Sequence, residues 1–190
     1  MELVIASNNK HKVREISEIL AGKFDRIYSL SELNIHVDPE ETAPDFLGNA
    51  MIKAEAIATF TDKAVIADDS GLEVDALGGA PGVFSARYGG ESCSDDKNNE
   101  KLLREMNGVQ DRKARFVTTM VLRFPGGKTF VGVGEVKGEI LLEKRGKNGF
   151  GYDPLFYSYE LKKTFGEASE EEKNSVSHRS RALRELLTKL

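Results

Sequence analysis

The segment that constrains this chain most is Ala64-Val65-Ile66-Ala67, an apolar run of buried-strand type that passes without a break into Asp68-Asp69-Ser70-Gly71. Two adjacent carboxylates at the end of a buried strand repel one another and lose solvation, which is costly unless a cation or hydrogen-bond donors compensate. A magnesium site at a strand end fits that demand. The plainer alternative is a turn in which each carboxylate caps backbone amides.

The flanking patterns place this strand in a mixed α/β fold. Leu3 to Ala6 is a second apolar run, followed by polar Ser7-Asn8-Asn9 and then Val13, Ile16, Ile19 and Leu20 at helical spacing, which predicts strand, loop and helix. Asp25 to Leu30 reads as a strand, Asp38 to Pro44 as a loop delivering Glu40 and Glu41, and Asp45 to Phe60 as a helix with Asp45 near its start. A further helix is predicted from about Ser94 to Asn107, stopped by Gly108, and a hairpin joins Arg115–Phe124 to Thr129–Val136 through Pro125-Gly126-Gly127-Lys128. Ile140 to Leu142 offers one more strand, and a last helix starts at about His178. The expected architecture is a curved mixed sheet lying between helices, with residues 1–190 as a single domain because no repeat or linker-like tract interrupts them.

Composition narrows the function. Lys and Arg number 27 against 31 Asp and Glu, a formal charge of −4, so no overall positive field is available to hold a phosphate polymer and nucleic acid is disfavoured as a partner. The lone Cys93 rules out an intramolecular disulfide, and three His with one Cys leave too few soft ligands for a zinc site. A metal here is expected to be hard and carboxylate-bound. The start MELVIASNN has no basic n-region, and no apolar run approaches the ~20 residues of a membrane span, so a cytoplasmic setting without a membrane partner is expected.

Two glycine patterns imitate nucleotide motifs. Gly127-Lys128-Thr129 ends like a phosphate-binding loop but lacks the first glycine and the following helix, and Gly132, Gly134 and Gly138 lie in a β-region without the helix a dinucleotide fingerprint needs. Small residues in a bent strand account for the second. Three other segments carry chemistry beside an ordinary structural reading. Ser7-Asn8-Asn9-Lys10-His11-Lys12, before a helix, either faces a phosphate with backbone N–H groups and lysines or is a helix cap with solvated lysines. Gly149-Phe150-Gly151-Tyr152-Asp153-Pro154 presents aromatics beside an acid, suited to a planar heterocycle, or is a turn whose aromatics plug the core. Lys173 with Ser177-His178-Arg179 supplies cations and donors around a helix start, or forms a solvated helix entrance capped by Ser177.

In order, SNNKHKVREI, ADDSGLEVDALGGAPGVFSARYGG, GFGYDP and SHRSRAL, spread from residue 7 to residue 183, resemble the inosine triphosphate pyrophosphatase family of nucleotide hydrolases. The resemblance implies an elongated mixed α/β fold, usually a homodimer, and Mg2+-dependent hydrolysis of deaminated purine nucleoside triphosphates (ITP, dITP, XTP) to the monophosphate and pyrophosphate. By position it implies that Ser7, Asn8, Asn9, Lys10, His11 and Lys12 bind the triphosphate. Asp69 becomes catalytic base and metal ligand, Ser70 a substrate contact, and Glu40 the residue that completes the metal site. Phe150, Gly151, Tyr152, Asp153, Lys173, His178 and Arg179 surround the nucleotide, and Lys53 faces the phosphates. Arg179 can only donate, which suits the 6-oxo group of hypoxanthine and not the 6-amino group of adenine. The chain departs from many relatives at Ala43, where they have Gly, and at Gly48, where they have Glu, which leaves Glu40 and Glu41 as alternative metal ligands. A sensor that binds without cleaving, and a pyrophosphatase for other altered nucleotides, are the competing functions.

Overall fold

Residues 1–91 and 94–190 are described by the computed structural model; Cys93 lies outside the described residues. The elements are β1 (Glu2–Ile5), α1 (Lys10–Ile19), β2 (Arg26–Ser29), α2 (Phe46–Ala58), β3 (Ala64–Val74), α3 (Asp95–Glu105), β4 (Lys113–Arg123), β5 (Thr129–Ile140), β6 (Phe156–Ser158), β7 (Lys163–Thr164), α4 (Glu170–Val176) and α5 (His178–Leu187). The seven strands form one sheet in the order β2-β1-β3-β4-β5-β6-β7. β1 runs parallel to both β2 and β3, whereas β6 runs antiparallel to β5 and β7. The sheet is therefore mixed, as the alternation of strand and helix signals predicted. No helix among the described residues is long and apolar enough to cross a membrane.

Local sequence explains most boundaries. Asn9 accepts from the His11 and Lys12 N–H groups and starts α1, Asp45 accepts from the Gly48 N–H and starts α2, and Ser94 does the same for α3. At the hairpin turn, Gly126 and Gly127 adopt φ of +87° and +95°, where a side chain is strained. Three expectations are corrected. β3 does not stop at Ala67 but runs on through Asp68, Asp69, Ser70 and Gly71 to Val74. Ile140 is the last residue of β5, no separate strand follows it, and Leu142 is left exposed. β6, β7 and α4 went unforeseen, although Ser169 and Glu172 form a capping box that announces α4.

The chain gathers into two compact units, each assembled from separate segments. The first comprises residues 1–69, 118–134 and 179–190, the second residues 70–117 and 135–178. In the first unit the strands bury both faces, and the alternation of β3 is visible in the partners it finds. Ala64 and Ile66 pack with Leu3, Ile5, Ile16 of α1 and Leu183 of α5, whereas Val65 and Ala67 pack with Val4, Ala50, Ala54 and Ile57 of α2. A Cβ on Gly132 would lie 2.3 Å from the Ala182 carbonyl oxygen, so this glycine admits α5 against β5. Close packing, rather than a bent strand alone, thus explains the first glycine of the series. In the second unit Leu72, Val74, Leu102, Met106 and Phe116 pack with Tyr152, Phe156 and Phe165.

Candidate functional site

Because β3 continues past Ala67, its two acids are neighbours on a pleated strand and point to opposite faces. Asp68 is 2% exposed and Asp69 4%, and each finds its own cations. The expected mutual repulsion is relieved by the pleat and by separate ion pairs, so the acids sit neither at a strand end nor at a turn. Asp68 follows the Ala64 and Ile66 face. Lys12 Nζ of α1 lies 3.0 Å from its Oδ2 and Arg179 Nε of α5 lies 3.5 Å away, while its Oδ1 is buried without a hydrogen-bond partner. Burial works to raise its pKa, but Lys12, Arg179 and Lys53 together hold it far below the usual carboxylate range. Arg179, only 1% exposed, is also paired with Glu15 of α1.

Asp69 follows the Val65 and Ala67 face, toward α2. Lys53 Nζ lies 3.5 Å from its Oδ1, and Asn49 Nδ2 donates to its Oδ2 at 3.1 Å. Burial pushes the Asp69 carboxyl above its ordinary value, and Glu41 adds to that against Lys53, Lys12 and the Asn49 amide. Lys53 is raised, because Asp68, Asp69 and Glu41 outweigh its burial. Lys53 also binds Glu41 Oε1 at 2.7 Å, so it links the 38–44 loop to β3. Glu40 is exposed, and it is Glu41 that the fold brings to Lys53 and Asp69.

The departures at positions 43 and 48 are complementary. A Cβ on Gly48 would lie 2.4 Å from the Ala43 Cβ, so the methyl of Ala43 fills the space that a side chain at 48 would need. The loop thereby closes onto the first turn of α2, where the Ala43 N–H donates to Asn49 Oδ1 at 2.9 Å.

Of the two readings of the N-terminal loop, the helix cap is the one visible in its hydrogen bonds. Ser7 Oγ accepts from the Asn9 N–H and Asn9 caps α1, while Asn8 Nδ2 donates to the Val37 carbonyl at 3.3 Å. Lys10 and His11 are exposed, and Lys12 turns inward to Asp68.

In the second unit, Lys173 of α4 is 4% exposed, which excludes the solvated helix entrance. Its Nζ binds Asp153 Oδ2 at 2.7 Å and lies 4.7 Å from the centroid of the Phe150 ring. Asp153 Oδ2 also accepts from the Phe150 N–H at 3.0 Å, and a Cβ on Gly149 would lie 2.0 Å from that oxygen, so Gly149 is required where the carboxylate folds back. Gly151 is held by Asp95, which accepts its N–H at 2.7 Å, and by Asn99, which donates to its carbonyl at 2.9 Å. Tyr152 belongs to the core, its hydroxyl donating to the Ser85 carbonyl at 2.7 Å, and Phe150 is the half-buried one of the two aromatics. His178 stacks on Phe116 with centroids 4.9 Å apart, and Ser70 is half-buried on β3.

Sequence reading missed Glu15 and Asn49. Glu15 follows Lys12 by three positions on one helical face, and Asn49 is a polar residue among apolar ones inside a helix; both signals were readable. Among the described residues, no group of three or more His, Cys, Asp and Glu side chains is gathered as a metal cage.

The model of the Ham1 family matches residues 3–189. A dITP/XTP pyrophosphatase of Clostridium perfringens is 49% identical over 97% of this chain and 95% of that protein, and one of Desulfotalea psychrophila is 50% identical over 97% and 82%. Among solved structures, the Ham1 protein of Staphylococcus aureus superposes with a TM-score of 0.86 at 47% identity, covering 97% of this chain and 95% of that one. The Ham1 protein of Coxiella burnetii gives 0.89 at 39% identity, covering both chains completely.

Proposed function

The chain belongs to the Ham1 family, and from that premise we propose that it hydrolyses deaminated purine nucleoside triphosphates, dITP, ITP and XTP, to the monophosphate and pyrophosphate. The observation that carries the mechanism is Asp69: a buried carboxylate with a raised pKa, held between the Asn49 amide and the Lys53 ammonium. Water is a weak nucleophile, and a base whose pKa is lifted toward the working pH takes its proton more effectively. In the proposed step the water oxygen bonds to the α-phosphorus, Asp69 takes the proton, and the bond from that phosphorus to the bridging oxygen breaks. The electron pair leaves with pyrophosphate, whose charge Lys12 and Lys53 stabilise. Phe150 offers a ring face suited to a planar base, and Lys173, His178 and Arg179 are among the residues the resemblance assigns around the nucleotide.

The donor set fits a magnesium ion. Asp69, with Glu41 or Glu40, supplies hard oxygen ligands, and a site with few protein carboxylates suits an ion that keeps waters and substrate phosphates in its shell. When bound, Mg2+ neutralises phosphate charge and lowers the pKa of water. The fold favours Glu41 as the partner of Asp69. Glu41→Gln is accordingly expected to raise the Mg2+ concentration for half-maximal activity more than Glu40→Gln does, in a titration at saturating ITP; the opposite order returns that role to Glu40. The family resemblance leads us to infer a homodimer acting on free nucleotides in the cytoplasm.

Incubation with ITP and Mg2+ tests the proposal. The expected products are inosine monophosphate and pyrophosphate in equal amounts. Orthophosphate released directly from ITP, with no inorganic pyrophosphatase added, would show a phosphatase instead.

A further inference from the structure

Asn49 lies in the first turn of α2 with no exposed surface, and its amide serves two partners at once. Oδ1 accepts the Ala43 N–H at 2.9 Å, and Nδ2 donates to Asp69 Oδ2 at 3.1 Å. A carboxamide alone answers both: leucine, of the same branching, would lose both hydrogen bonds, and aspartate would satisfy Ala43 while turning an acceptor toward Asp69. With Lys53 on the other oxygen, Asp69 is held at both ends of its carboxylate. The same amide anchors the loop that carries Glu41, at the point where Ala43 closes against Gly48.

We propose that Asn49 is a positioning residue for the hydrolysis: it fixes the orientation of the Asp69 carboxylate and ties the 38–44 loop to it. This rests on the reading of Asp69 as the base. A base acts only within hydrogen-bond reach of the proton it takes, and a displacement of about 1 Å costs roughly 10²-fold in rate. The role is chemical and not one of substrate affinity, so it separates kcat from KM.

The test uses Asn49→Ala, Asn49→Asp, Asp69→Asn and the two double variants. Asn49→Ala is expected to lower kcat for ITP about 10²-fold with KM within about threefold of wild type. Calorimetry with a non-hydrolysable ITP analogue, without metal, is expected to give an unchanged Kd. Asn49→Asp, of the same size, repeats the kcat loss should the alanine variant fail to fold. Placed on Asp69→Asn, Asn49→Ala should add no further loss, because its effect passes through a carboxylate already gone. The exchanged pair, Asn49→Asp with Asp69→Asn, restores a hydrogen bond between the two positions, so it should regain the Tm lost in Asn49→Asp while staying inactive. A kcat near wild type in both single variants, or losses that add in full on Asp69→Asn, would overturn the inference. Wild-type turnover in Asp69→Asn would instead overturn the reading of the base on which it rests.

Discussion

Asp69→Asn removes turnover of ITP, with kcat expected to fall at least ~10²–10⁴-fold, the usual contribution of a general base, while Tm stays at or slightly above that of wild type. The two outcomes have one cause. Burial disfavours the ionised carboxyl, and Glu41 reinforces this, so the folded protein holds Asp69 in a charged form that its surroundings resist. For an acid whose folded pKa is raised, ionisation at neutral pH subtracts from stability. An amide of equal volume removes that charge and still accepts from Asn49, and Lys53 keeps Glu41. Activity near wild type, or a large fall in Tm, would each count against the assignment. The first would remove Asp69 from the chemistry, and the second would make it a structural ion pair.

The β1-to-α1 transition was legible because apolar runs and capping residues are local signals. The extent of β3 was not. Asp, Asp, Ser and Gly are poor strand formers, and they read as punctuation; sheet neighbours and cations on both faces override that preference, and no window of sequence contains Lys12, Lys53 and Arg179 together. Glu15 and Asn49 carry readable local signals, but their partners Arg179 and Asp69 lie far along the chain, so the pairing itself was not legible. Glu41 against Glu40 was undecidable from two adjacent acids on a loop, since the choice depends on where Ala43 meets Gly48. Of the two readings of the C-terminal segment, burial excludes the solvated one. Lys173, His178 and Arg179 are polar yet all three are buried, each among partners that sequence spacing does not reveal.

Arg179→Ala is expected to have the largest effect on stability. Its guanidinium is buried between Glu15 and Asp68, and removing it takes a buried cation from both carboxylates, with Lys12 remaining beside Asp68. Breaking a buried pair from one side costs about 3–5 kcal/mol, which for a chain of this length corresponds to a fall in Tm of roughly 6–20 °C. Glu15→Gln on that background neutralises the charge that faced the guanidinium and should regain part of the loss. Selectivity is a separate readout. Pairing with two acids fixes the plane of the guanidinium, and a fixed donor distinguishes a 6-oxo from a 6-amino purine, at about 1–3 kcal/mol for each buried group left unpaired. If Arg179 reads the base, kcat/KM for ITP falls more than that for ATP in the folded variant, and Glu15→Gln does not restore the ratio. If both substrates fall by one factor while Tm drops as expected, Arg179 serves only to hold Glu15 and Asp68, and the reading of the base passes to the Phe150–Asp153 loop or His178.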